Sequence, residues 1–317
     1  MNLQNETDLI AHMFRGEPEP DVMLATVAAK AAFRIEAGGA LRPDLEGVEI
    51  LKEDAEHPLG YFPHDMVLSK PAVDLFVFGK AYAPGGRPVD RMEVAFRFGA
   101  LERRLAVVGD RTWRTAHEPT APTPFREMPV TYGNAYGGET EMNGLPVACP
   151  DNPFGKGYVL EKDRAVGTPL PNVEAAAQPV KSWQDQPIPA GFAAYPRQTR
   201  VTTQRSFRVI DAEKGQFEFT PQVFVSAHPD MTAPQAPPGT ECVLTGMTPQ
   251  GTLRFRVPDL SPVLHLRLGG RTSRYPLMLD TLCLLPEGPR VVLTYRASVR
   301  YRAVAEQERE AVLRLGM

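Results

Sequence analysis

The sequence predicts a mainly β protein: sandwich-like antiparallel sheets, a long Pro/Gly-rich ordered layer connecting them, and a short C-terminal helix. Three observations predict it. Apolar and polar residues alternate with a period of two in both halves of the 317-residue chain. The 32 prolines and 26 glycines favour short elements and ordered loops over long helices or uninterrupted strands. Between about Asp110 and Arg205 neither the strand period nor the helix period holds for long.

Val22–Ile35 opens after the Gly16–Asp21 turn and reads as a strand, although its Ala-rich middle also admits a helix. Leu75–Phe78 is apolar on both faces, as suits a strand in the interior of a sheet. The Ala83–Pro88 turn would connect it to the next strand as a meander. In that next strand Met92, Val94, Phe96 and Phe98 alternate with Arg91, Glu93, Ala95 and Arg97. A break at Gly99-Ala100 and the return through Arg103–Val108 give the pattern of a hairpin.

The C-terminal half repeats the alternation. Leu253, Phe255 and Val257 alternate with Thr252, Arg254 and Arg256, and Leu264, Leu266 and Leu268 with His265 and Arg267, before a Gly269-Gly270 turn. Val291–Ala303 reads as a long strand with one buried face and one cationic face in water. Pro229–Gly239 reads as a linker. The tail, Ala305–Leu315, reads as a helix with Ala311, Val312 and Leu315 on one face. One β-rich domain over 1–317 is expected, with a division into 1–205 and 206–317 as the alternative.

Composition excludes several function classes. A formal net charge of -3 provides no basic footprint for nucleic acid or an anionic membrane. Cys149, Cys242 and Cys283 are far apart with no CxxC pair, unlike a disulfide scaffold or a zinc ribbon. The opening MNLQNETDLIAHMF lacks the basic start and apolar stretch of a secretory leader. No run approaches the roughly 20 apolar residues of a membrane helix. A soluble, cytoplasmic protein without membrane insertion is the expectation.

Residues that could carry chemistry are sparse. His57, His64 and Asp65 lie close in sequence, but spacing brings no third metal ligand, and turn hydrogen bonds explain them as well. Asp74, Asp110 and Asp280 sit at strand edges or turns, where capping roles compete with a glycosidase-type carboxylate pair. No GxSxG is present, and the GKGY at Gly155–Tyr158 is too short for a phosphate-binding loop. No catalytic residue, metal or cofactor is therefore assigned. The aromatics of the Asp110–Arg205 segment, Trp113, Phe125, Tyr132, Tyr136, Phe154, Trp183 and Tyr195, are the candidates for partner contact, since Tyr and Trp commonly anchor interfaces. Their other reading is as core, packed over the sheets together with Phe192.

At a set of ordered motifs the chain resembles a bacterial family known as domain of unknown function 2169. These are KAAFRI at Lys30–Ile35, KPAVDLFVFGKAYAPGGRPV at Lys70–Val89 and VVGDRTW at Val107–Trp113. They continue with PFREMPVTYGNAYGG at Pro124–Gly138, NPFGKGY at Asn152–Tyr158, LPNVE at Leu170–Glu174, PAGFAAYPR at Pro189–Arg197 and LDTLCLLPEGPRVVLTYRA at Leu279–Ala297. The chain departs from the family around Ser226–Gly239, where an AP-rich, Gln-containing loop takes a different form. The resemblance implies an adaptor or chaperone of type VI secretion, not an enzyme. Its implied partners are a toxin effector, in some cases PAAR-containing, and the spike protein onto which the effector is loaded. The alternatives are a hydrolase using loop carboxylates and a structural component of a contractile injection machine.

Overall fold

The computed structural model describes residues 1–19, 21–196, 207–211, 216–219, 221–302 and 309–316. Strands dominate it, and the helical segments among the described residues are short 3-10 turns. The chain is mainly β, as the alternation predicts.

The largest sheet has seven strands. Its order is Ile10–Glu19, Val22–Ile35, Arg290–Arg302, Met278–Leu285, Val73–Val77 and Thr232–Ala233, with Leu41–Pro43 added at the end of Val22–Ile35. Alanine favours helix, yet Val22–Ile35 is a strand because pairing decides. It runs against Arg290–Arg302 from Val22 opposite Arg302 to Arg34 opposite Arg290. Both of its faces are covered: Val27, Ala29 and Ala31 join the main core, while Lys30 on the other face donates to the Glu49 carbonyl.

A five-stranded sheet runs Val173–Ala175, Leu101–Val108, Arg91–Phe98, Glu241–Thr245 and Thr252–Arg256. The hairpin at Gly99-Ala100 forms as the sequence implies, with Phe98 opposite Leu101. A four-stranded sheet runs Leu3–Asn5, Arg309–Leu315, Pro262–Leu268 and Arg271–Pro276. All three sheets feed one apolar core, which joins Leu75 and Leu293 to Phe96 and Leu244, and to Leu264 and Leu313.

Several expectations are corrected. The sheets are not purely antiparallel, since Val73–Val77 lies parallel to Met278–Leu285 and Leu3–Asn5 parallel to Arg309–Leu315. The Ala83–Pro88 turn does not make a meander, because Val73–Val77 belongs to the seven-stranded sheet, Lys80–Tyr82 pairs with Glu127–Pro129, and Arg91–Phe98 belongs to the five-stranded sheet. The chain leaves the first sheet at Gly79, where an added Cβ would come within 2.5 Å of the Pro286 ring. The tail is no helix over the described part of Ala305–Leu315. Arg309–Leu315 is a strand whose alternate residues Ala311 and Leu313 are buried, held between Pro262–Leu268 and Leu3–Asn5. Pairing on both sides overrides the helical spacing of Ala311, Val312 and Leu315.

Two further corrections concern polar segments. Pro229–Gly239 is no linker: Thr232–Ala233 extends the large sheet beside Val73–Asp74, and Met231 is fully buried. The even-numbered face of Arg290–Arg302 is only partly in water. Arg296 is buried and pairs with Asp280 at 2.5 Å, because the 65–68 segment closes over that face.

Candidate partner-binding surface

The Gly/Pro-rich motifs build a layer held together by three asparagines. Asn134 donates to the Pro129 carbonyl, and Asn172 donates to the Val108 carbonyl and to Asp110. Asn152 donates to the carbonyls of Tyr132 and Tyr136 at 2.7 and 3.0 Å. Irregular backbone cannot satisfy its own polar groups when buried, so each side chain supplies the missing donor. Glycine allows the close approach this needs. A Cβ on Gly137 would lie 2.1 Å from the Asn152 carbonyl oxygen, and one on Gly155 2.5 Å from its Nδ2. The buried pair of Arg111 with Glu174, at 2.6 Å, ties the layer to the five-stranded sheet; burial raises the Glu174 carboxyl despite the arginine beside it.

The layer has its own small core of Trp113, Tyr136, Cys149, Tyr158, Leu170 and Val180. Phe125 and Phe192 instead enter the main core, where Phe192 meets Phe96 at 6.3 Å between ring centres. Tyr132 and Tyr195 form an edge-to-face pair at 5.1 Å, and the Tyr61 hydroxyl donates to the Tyr195 carbonyl. Burial raises the phenols of Tyr132, Tyr136 and Tyr195, so they stay neutral at physiological pH.

Of the seven aromatics that the sequence offers for partner contact, Trp113, Phe125, Tyr132, Tyr136 and Tyr195 are thus buried, and Trp183 is half-buried. Phe154 differs, with 64% of its surface exposed. It lies two residues after the Asn152 staple and stands on the rim of a cleft of about 480 Å³ lined by Pro58, Tyr61, Thr131, Tyr132 and Ala194. The structure brings Tyr132 and Phe154 to this cleft and packs Tyr195 behind Tyr132; Trp113, Tyr136 and Trp183 group in and around the separate small core.

A second cleft of about 340 Å³ lies under the 47–65 segment, and charged side chains stand among its apolar lining. Lys30 pairs with Asp65 at 2.5 Å, and Lys70 pairs with Asp74 at 2.7 Å. Lys70 also donates to the Thr281 hydroxyl, which donates to Asp280, which pairs with Arg296. Asp74 further accepts from the backbone amides of Ser226 and Ala227. Asp74 and Asp280 are therefore brought into one network, with cations between them, while Asp110 stays in the loop layer beside Asn172. His64 lines the cleft and His57 stacks on Phe62 and Phe78 instead. Among the described residues no three His, Cys, Asp or Glu side chains are grouped as a metal site. No described helix is long and apolar enough to cross a membrane.

Sequence reasoning missed the asparagine staples and the Lys70–Asp74 pair. The first had a signal, an Asn in each of the motifs at Pro124–Gly138, Asn152–Tyr158 and Leu170–Glu174. The second joins residues only four apart, but its burial depends on distant segments, Ser226 and Ala227 against Asp74 and Thr281 against Lys70, that spacing does not reveal.

The fold and the cleft define a multi-sheet β protein with a braced aromatic surface. The chain belongs to a family described as uncharacterized protein conserved in bacteria, domain of unknown function 2169, which matches residues 21–296. No curated protein and no solved structure matches it.

Proposed function

We propose that this protein is an adaptor or chaperone that holds a type VI secretion effector and assists its loading onto the spike complex. In this reading its sheets act as a sandwich-like frame. The observation that carries it is Phe154, a large apolar side chain kept in water on a loop that Asn152 and the close-packed Gly137 and Gly155 hold rigid. A rigid exposed aromatic beside an apolar cleft suits protein contact, because it loses little entropy on binding. The resemblance in the ordered motifs supplies the choice of client. A hydrolase would call on buried carboxylates, and Asp65 in the second cleft, like Asp74 and Asp280 in the network beside it, already meets a cation.

The test is recovery of the effector from the native host with wild-type protein and with Phe154→Asp as bait, read by mass spectrometry. The expected result is effector with the wild type, at least tenfold less with the variant, and an unchanged melting temperature. Equal recovery with both baits removes the Phe154 surface, and absence of any effector with the wild type removes the adaptor reading.

A further inference from the structure

The four-stranded sheet ends on Arg271–Pro276, a strand bonded to Pro262–Leu268 on one side only. The turn between them, Gly269-Gly270, has φ of 54° and 80°, as a two-residue type I′ hairpin requires. In such a hairpin the flanking residues, Leu268 and Arg271, exchange hydrogen bonds, and the pattern then alternates. The backbone amides and carbonyls of Thr272 and Arg274 therefore point away from the sheet, along its open edge. Among the described residues nothing pairs with them.

This edge is cationic. Arg271 and Arg274 are exposed and meet no acidic side chain among the described residues. Arg274 lies across from His265 on the face that also carries Arg267 and Arg314. On that face Arg314 pairs with Glu6 and Arg267 approaches Glu310 at 4.0 Å. Burial first, then the guanidinium groups of Arg274 and Arg314, hold the His265 ring below its ordinary pKa, a sign of the local positive field. Where the strand ends, Pro276 sits on the rim of a third cleft, about 480 Å³, lined with Pro237, Leu260, Pro262, Val263 and Met278. Met278 is 66% exposed there. The same cleft takes in Pro234–Pro238, from the loop in which the chain departs from its family's pattern.

We propose that Arg271–Pro276 receives an acidic, extended segment of a partner protein as a fifth strand, and that the groove beyond Pro276 takes an apolar side chain of the same segment. Backbone bonds to Thr272 and Arg274 hold the segment, and Arg271 and Arg274 select its charge. The site is separate from the Phe154 cleft and does not depend on what that cleft binds.

Fluorescence anisotropy with synthetic peptides on the full chain tests this. The probe is a labelled ten-residue peptide of alternating glutamate and valine ending in leucine. Two controls carry lysine for glutamate, or N-methyl groups at alternate backbone nitrogens. The glutamate peptide is expected to bind at least tenfold more tightly than either control, and less tightly as salt rises. The double variant Arg271→Glu, Arg274→Glu is expected to prefer the lysine peptide, while Phe154→Asp leaves binding unchanged. No binding of the glutamate peptide, equal binding of the N-methylated one, or indifference to the charge reversal overturns the proposal; the arginines then serve only to guard the edge.

Discussion

His228 shows how one buried side chain sets a response to acid. Its Nδ1 accepts from Arg103 at 2.7 Å and from the Asp230 amide at 3.1 Å, and Tyr195 packs edge-on against its ring. Burial, and then the charge of Arg103, push its pKa down to about 3, although Asp230 works in the opposite direction. Above the ordinary histidine value of about 6.5 the ring is neutral in both the folded and unfolded chains. Below it the unfolded chain takes up a proton that the folded one refuses until about pH 3. Stability is thus lost as pH falls through that window, by up to about 1.4 kcal/mol per pH unit. Urea midpoints at pH 7 and pH 4.5 should fall further for the wild type than for His228→Gln. An equal fall in both chains would place the acid sensitivity elsewhere.

At the scale of elements, the loop layer stands on its staples. Asn152→Ala takes the side-chain donor from the carbonyls of Tyr132 and Tyr136; Tyr132 keeps the Ala135 amide, and a carbonyl stranded in the interior costs about 1–3 kcal/mol. Urea denaturation should show that loss, whereas Phe154→Ala, two residues along, should stay within about 0.5 kcal/mol of wild type. A large loss at Phe154 would mean that the side chain packs where the structure exposes it.

The contrast also shows what was legible. Arg91–Phe98, Thr252–Arg256 and Pro262–Leu268 were readable because each has one face in the core, and alternation encodes that directly. Arg309–Leu315 was not, because its identity comes from two neighbouring strands and not from its own spacing. The crossing between sheets at Gly79 was hidden for the same reason. The motifs also marked out the Gly/Pro-rich layer that carries Phe154 and its cleft. Burial of Trp113 and Tyr136 against exposure of Phe154 depends on packing that composition does not record.

The molecule as a whole carries three built-in reporters. Cys242 and Cys283 are buried in the main core and Cys149 in the small one, and burial raises all three thiols. A thiol that is neither ionised nor accessible reacts slowly. The native protein should resist Ellman's reagent, and denaturant should expose all three. If Cys149 is labelled at lower urea than the other two, the small core opens as a separate unit; simultaneous labelling shows a single cooperative one. Fast reaction of any cysteine without denaturant would contradict the packing around it.

Val22–Ile35 lies between a strand just before it and one that begins at Arg290. On a ribosome this means a wait. The segment emerges early, and its long partner follows only after more than 250 further residues, on the order of tens of seconds at ordinary bacterial rates. Through that interval an Ala- and Val-rich stretch has one of its two neighbours and no settled home. Nascent chains halted before Arg290 should be sensitive to protease along Val22–Ile35 and should bind general chaperones, while chains released after Leu315 should not. The chain itself would then need holding until its last strands are made.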